Sequence, residues 1–257
     1  MLKKITLLFL WISVTSFGQC FDKLSLRSSG FHNVSIKSDG TLWGWGYSSF
    51  GQLGNTNLMN PTPFQIGTST DWHKTFAGVA NTFIIKTNGT LWGMGNSEFG
   101  LLGNGLTTQI NPTLQQIGTA TNWQKISAST QMTIGLKTDG TIWGWGQNDQ
   151  YEMGNNTCCA NQLTPIQIGT ANHWVDIEST SMGASAFALK NDGTIWGWGL
   201  NTAGLLGNST VMARSVPTQL NADTDWASIH VGVAHILALK TNGTLWSWGG
   251  GIWTNWR

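Results

Sequence analysis

The chain has 257 residues, only 10% of them charged, with 13 basic side chains against 12 acidic ones. So even a balance excludes the basic footprint that a phosphate backbone requires, and no nucleic-acid partner is expected. The 33 glycines and 16 tryptophans instead fit a compact all-β protein whose strands are buried on both faces.

The N-terminus comes first. Lys3 and Lys4 precede an apolar run from Ile5 to Val14, and Ser16-Phe17-Gly18 supplies small residues for cleavage. Residues 1–19 therefore read as a secretory signal peptide, with the mature chain starting near Gln19 and acting outside the cell or at its surface. The apolar run is too short to span a bilayer, and Gln19 is too large to precede a lipid-modified Cys20. No other segment reads as a membrane span.

Residues 20–249 are repetitive. A decapeptide recurs five times: KSDGTLWGWG (37–46), KTNGTLWGMG (86–95), KTDGTIWGWG (137–146), KNDGTIWGWG (190–199) and KTNGTLWSWG (240–249). Four further tryptophans, Trp72, Trp123, Trp174 and Trp226, keep the same interval. A glycine-rich loop follows each of the first four copies (FGQLGN, FGLLGN, YEMGN, AGLLGN), and then a proline-led segment (PTPFQIGT, NPTLQQIGT, TPIQIGT, VPTQL). Each unit thus predicts a Trp-led strand, an aliphatic strand ending in Lys, the decapeptide strand, a loop and an edge strand.

Asp-Gly or Asn-Gly between two extended runs predicts a two-residue type I′ hairpin. With Asp39-Gly40 as the turn, Ile36 faces Trp43 and Val34 faces Trp45. Period-2 alternation then gathers Val34, Ile36, Trp43 and Trp45 on one bulky face, with Ser35, Leu42, Gly44 and Gly46 on a small one. Such sheets would stack bulky on small, as the blades of a β-propeller do.

The pattern W-x-x-I-x-A-G, an aliphatic strand, K-x-D-G-T-x-W-x-W-G, G-x-L-G-N and a Pro-led segment resembles the regulator of chromosome condensation (RCC1) repeat over essentially the whole mature chain. The resemblance implies an all-β RCC1-like propeller. Such rings generally hold seven blades, roughly 350 residues at this period. About five blades are present, so an incomplete seven-bladed ring is expected, with a closed five-bladed ring as the alternative. The family includes a nuclear guanine-nucleotide exchange factor and secreted bacterial inhibitors of β-lactamases. The exchange activity does not transfer, because the chain carries an export signal and no insertion resembling a separate wedge between blades.

Residues 250–257, GGIWTNWR, fit no repeat. Read one base later, the codons for Gly-Ile-Trp-Thr-Asn-Trp force a Gly-x-x-Gly and can spell Glu-Tyr-Gly-Gln-Ile-Gly, so the tail reads as a fifth loop out of frame.

The chemistry-bearing residues are few. No hydrolase, metalloprotease, nucleotide-binding or EF-hand motif occurs, so neither an enzyme nor a cofactor is expected. His32 and His235 share one repeat position, where hydrogen bonding is the expected role. Asp39, Asp139 and Asp192 are committed to hairpins, and Asp71 and Asp225 to the turn before the Trp strand. Asp176 and Glu178 share a strand face and form a candidate acid–base or cation pair. Cys158 and Cys159 are adjacent, which leaves a vicinal disulfide and two free thiols open. Every Trp between residues 20 and 249 is on-pattern, which assigns the indoles to scaffold rather than to carbohydrate platforms. Recognition then falls to the variable loops, with Met59, Met212 and Arg214 as candidate contacts in a scaffold for an unidentified protein partner. The alternatives are a glycan-binding or glycan-processing propeller and a truncated one without independent function.

Overall fold

The structure, a computed structural model, describes residues 21–25, 30–181, 183–202 and 204–250. The expected signal peptide and the tail from residue 251 lie outside them. Among the described residues five antiparallel sheets follow one another, each in sequential strand order. The first blade holds β1 (Phe21–Ser25), β2 (His32–Lys37), β3 (Leu42–Tyr47) and β4 (Met59–Gln65). The second holds β5 (Trp72–Ala77), β6 (Asn81–Lys86), β7 (Leu91–Gly95) and β8 (Gln115–Gln116). The third holds β9 (Trp123–Ala128), β10 (Met132–Lys137), β11 (Ile142–Gly146) and β12 (Gln162–Gln167). The fourth holds β13 (Trp174–Ser179), β14 (Ser185–Lys190), β15 (Ile195–Gly199) and β16 (Arg214–Gln219), and the fifth β17 (Trp226–Val231), β18 (His235–Lys240) and β19 (Leu245–Gly249).

The hairpin differs from the expected one by a residue. Gly40 N–H donates to Lys37 O at 2.9 Å and Lys37 N–H to Thr41 O at 3.0 Å, closing a three-residue loop, Ser38-Asp39-Gly40. Only Gly40 takes a left-handed φ, +80°, which is a type I turn with a bulge rather than a type I′ turn. Ile36 therefore pairs with Leu42, Ser35 with Trp43 and Val34 with Gly44. The slip reassigns the faces. Val34, Ile36, Leu42 and Gly44 form what we term the front of the blade, and Ser35, Trp43 and Trp45 the back. The expected bulky and small faces do not exist. Both faces instead carry large and small side chains, and some large ones lie beside small ones, as with Phe83 opposite Gly93, or Ala186 opposite Trp198.

The turn residues explain the D/N-G-T-x-W spelling. Asp39 Oδ1 accepts from the Thr41 amide at 2.9 Å and its hydroxyl at 2.6 Å, and Thr41 Oγ1 accepts from Trp43 Nε1 at 2.8 Å. The same relay runs through Asp139–Thr141–Trp143 and Asp192–Thr194–Trp196, and through Asn88–Thr90–Trp92 with an amide in place of the carboxylate. The Thr hydrogen bonds hold the three carboxylates below their ordinary range. The Lys ending each aliphatic strand stacks on the indoles: Lys190 Nζ lies 3.6 Å from the Trp196 ring centre and 4.9 Å from that of Trp174.

Blades join front to back. Val34, Ile36, Leu42, Leu53 and Ile66 of the first meet Trp72, Ile84 and Met94 of the second, and the three later junctions repeat the arrangement. The loop Leu and the edge-strand Ile close over the front glycine: a Cβ on Gly44 would lie 2.6 Å from Leu53 and 2.8 Å from Ile66. From the other side, the second decapeptide Trp reaches back into the preceding loop. Trp145 donates to Leu101 O at 2.9 Å, Trp198 to Glu152 O at 2.9 Å and Trp248 to Leu205 O at 3.0 Å.

Those indoles explain the second loop glycine. A Cβ on Gly103 would meet Trp145 at 2.9 Å, whereas on Gly54 the nearest atom of Met94, which replaces the Trp, would be 3.9 Å away. Both glycines have positive φ, +72° and +80°. The backbone strain of alanine is thus common to both, and Gly103→Ala is expected to cost about 1 kcal/mol more than Gly54→Ala in urea denaturation. Equal costs would remove the Trp from the explanation.

The front of the fifth blade is open. Leu237, Leu239 and Leu245 are 37, 38 and 68% exposed, whereas Phe187, Leu189 and Ile195 at the same positions of the fourth are at most 4% exposed. The described residues therefore form an incomplete propeller, not a closed five-bladed ring.

Candidate recognition surface

The hairpin turns lie on one side of the arc, and the loops that precede each aliphatic strand and follow each decapeptide lie on the other. On this loop side, between the first two blades, is a cleft of about 470 Å³ lined by Phe31, Tyr47, Phe50, Gln52, Met59, Val79 and Ala80. Tyr47 is held beside Phe31 because its N–H donates to Phe31 O at 2.8 Å, and the two rings meet edge to face with centres 6.3 Å apart. Gly46, φ +104°, lets β3 pass beneath, since a Cβ there would lie 2.5 Å from Phe31 O. Met59 pairs with Tyr47 across β3 and β4. Phe31 and Met59 are 75 and 62% exposed, so the cleft has an apolar rim.

The floor is polar, and both oxygens of Gln52 are engaged. Gln52 Oε1 accepts from the Phe50 amide at 3.0 Å, and Gln52 O accepts from Thr82 Oγ1 at 2.7 Å. Because the Thr82 hydroxyl donates there, its oxygen must accept from buried His32 Nε2, 2.8 Å away. His32 is then the neutral tautomer with its proton on Nε2, and Nδ1 is buried with no partner. Burial lowers the His32 pKa from 6.5 to about 4. The expected hydrogen-bonding role of His32 is met, and it ties the first blade to the second. His235 is exposed.

The structure separates the three candidate contacts. Met59 lines the cleft. Met212, 70% exposed, and Arg214, half-buried at the start of β16, belong to the fourth blade and are not among its lining residues. Sequence reasoning missed Phe31 and Tyr47. The signal was available: the positions whose backbones make the same bond hold Ala80 and Asn96, Gln131 and Gln147, and Ala184 and Leu200.

Asp176 and Glu178 are not a free carboxylate pair. Lys125 of the neighbouring blade reaches both, at 2.6 Å and 2.9 Å. Burial pulls the ammonium pKa down, but Glu178 and Asp176 outweigh it and hold it above the ordinary value. The triad is a bridge between blades. Asp71 and Asp225 likewise pair with Lys86 and Lys240, at 3.1 Å and 3.0 Å. Among the described residues no group of three or more His, Cys, Asp or Glu could hold a metal ion, and no helix is long and apolar enough to cross a membrane.

These features define a propeller scaffold built from repeats, with an apolar cleft where the first repeat departs from the others. The chain belongs to the regulator of chromosome condensation (RCC1) repeat family, whose pattern matches residues 39–85, 139–185 and 192–239, with a second form of the repeat at 25–52. It is 26% identical over 229 residues to the mitochondrial RCC1 domain-containing protein RUG3 of Arabidopsis thaliana, covering 83% of this chain and 51% of that one. To the ultraviolet-B receptor UVR8 of the same plant it is 27% identical over 213 residues, covering 79% and 48%. The chain thus spans about half the length of these relatives. Among solved structures it is similar to human WBSCR16, with a TM-score of 0.78 at 17% identity over 90% of this chain and 62% of that one. It is also similar to yeast RCC1 (Prp20) bound to Kap60, with a TM-score of 0.73 at 22% identity over 88% and 55%.

Proposed function

We propose that the protein is a non-catalytic recognition scaffold that works outside the cytoplasm and anchors a protein partner by a large apolar side chain in the Phe31–Tyr47–Met59 cleft. The observation that carries this reading is the convergence of Phe31, Tyr47, Phe50 and Met59 on one loop-side cleft whose lining has no charged residue. Aromatic and Met side chains are the types enriched at protein interfaces, and Met adapts its shape to what it meets. The polar side chains of the lining are the Tyr47 phenol and Gln52, whose Oε1 already accepts a backbone hydrogen bond, so few groups remain to orient a polar small molecule. The signal-type N-terminus supports export. The similar yeast propeller bound to Kap60 is an instance of this fold holding a protein. A glycan reading gains less support, because the leading indoles of the decapeptides are covered by lysine, at 3.3 Å for Lys37 on Trp43 and 3.5 Å for Lys137 on Trp143.

The repeats themselves supply the test. Phe31→Ala and Tyr47→Asn install the residues of the second blade, so the fold is retained while the rim is lost. Peptides selected from a displayed random library against the protein are expected to share one large apolar anchor residue. The double variant is expected to weaken them by roughly 30-fold, the loss of one interface hot spot. Unchanged affinity in the double variant, or binding to a glycan array that depends on the same residues, would sink the proposal.

A further inference from the structure

The loop that joins β11 to β12 carries two adjacent thiols that the cleft does not use. Cys158 is half-buried and Cys159 exposed, and both are free. Neighbours on an extended strand point their side chains to opposite sides. Here Cys159 takes a left-handed φ of +71°, so the pair departs from the extended geometry that would hold the two side chains apart. The backbone is pinned around them: Cys159 N–H donates to Asn148 O at 2.7 Å. Asn156 N–H donates to Ser215 O at 2.8 Å, and Asn156 Oδ1 accepts from Ser215 Oγ at 2.8 Å, so the loop clasps strand β16 of the next blade.

We propose that Cys158 and Cys159 form a redox-modification site, in which Cys159 attacks a low-molecular-weight disulfide and Cys158 resolves the adduct into a vicinal bridge. The chemistry runs in two exchanges. The Cys159 thiolate attacks a sulfur of oxidised glutathione, a Cys159–glutathione bond forms, the glutathione S–S bond breaks, and one glutathione leaves carrying the displaced proton. Cys158 then attacks Cys159 Sγ, the Cys158–Cys159 bond forms, and the second glutathione leaves with the second proton. The two cysteines are oxidised and one glutathione disulfide is reduced to two thiols, so the balance closes.

Geometry sets the character of the bridge. Adjacent Cα atoms are about 3.8 Å apart across a trans peptide, below the roughly 4.4 Å at which disulfides ordinarily begin, so the bridge is strained and opens to mild reductant. Closure also draws the Cys158–Cys159 peptide away from Asn148 and loosens the clasp on Ser215. The facing charges, Asp149 and Glu152, are both acidic. The hydrogen bond from Cys158 first, then burial and those charges, keep the Cys159 thiol above its ordinary pKa, so attack is slow at neutral pH and speeds as the solution is made alkaline.

Mass analysis of the Cys20→Ser chain after incubation with oxidised glutathione tests this, with Cys158 and Cys159 as its two thiols. The expected product has lost two hydrogens and carries no glutathionyl group, and a mild thiol restores the starting mass while the fold is intact. Cys158→Ser is expected to retain one glutathionyl group on Cys159. Cys159→Ser is expected to react at least tenfold more slowly, because the remaining thiol is half-buried. Amide hydrogen exchange at residues 155–160 and at Ser215 should rise in the bridged form. A stable glutathionyl adduct on the Cys20→Ser chain with both loop cysteines present, or no reaction where unfolded protein reacts, overturns the proposal. So does equal reactivity of the two single variants.

Discussion

Trp198→Ala is expected to destabilise the protein by about 3–5 kcal/mol, the range for emptying a buried aromatic site. The indole is fully buried in a cluster with Met132, Ile134, Met153 and Ile168 of the preceding blade. Its N–H donates to Glu152 O at 2.9 Å, and that carbonyl loses its partner with the ring. The ring also covers Gly154, where a Cβ would lie 2.8 Å from Cδ1, so the loop has no side chain of its own to fill the void. Trp198→Met should recover about half of the loss, because Met94 occupies the same position in the second blade and is also fully buried. Urea denaturation of the two variants checks both figures. A loss below about 1 kcal/mol for the alanine variant would mean that the junctions do not hold the arc together through these indoles.

The repeat made the architecture legible because its spacing carries the strand count, the turn and the glycine-rich loop in one period. The face assignment was not legible by the same route. Asp-Gly is compatible with both a two-residue and a three-residue turn, and they differ by one residue of register. The deciding residue was Thr41, which follows the glycine in all five copies. Its amide and hydroxyl both bond to Asp39, which is not in the left-handed conformation a type I′ turn would require of it. The roles of Leu53 and Ile66 also lay beyond local pattern, since they depend on a loop and an edge strand folding over the front glycine.

The candidate site was half legible. Variation in the loops after the glycine pair pointed to Met59, which lines the cleft. It pointed equally to Met212 and Arg214, which belong to the fourth blade. Phe31 and Tyr47 sit at strand ends, where the first repeat is in register with the rest, so a search confined to variable loops passes over them. Subtracting the repeat from itself finds them: a Phe where other blades hold Ala or Gln, and a Tyr where they hold Asn, Gln, Leu or Gly.

The same cleft should respond to acid through His32. Its pKa is about 4 in the folded protein against 6.5 in the unfolded chain, so below about pH 6.5 the unfolded state binds the proton that the folded state refuses. The sign follows. The contribution of neutral His32 is complete above the unfolded pKa, declines as pH falls, and is exhausted near the folded pKa. A shift of this size amounts to about 3 kcal/mol, because charging a buried imidazole whose Nδ1 has no acceptor costs its solvation. The depressed carboxylates of Asp39, Asp139 and Asp192 begin to lose their contribution as pH falls into the ordinary carboxylate range and finish below it. His32→Asn, which installs the residue of the second blade, Asn81, isolates the effect. The melting temperature of the parent should fall toward that of the variant, or below it, between about pH 7 and about pH 4. A constant difference would show that folding leaves the His32 pKa unshifted. Since Thr82 joins His32 to Gln52 on the cleft floor, peptides bound in the cleft should hold their affinity down to the folded pKa of about 4 and weaken below it in the parent and not in the variant.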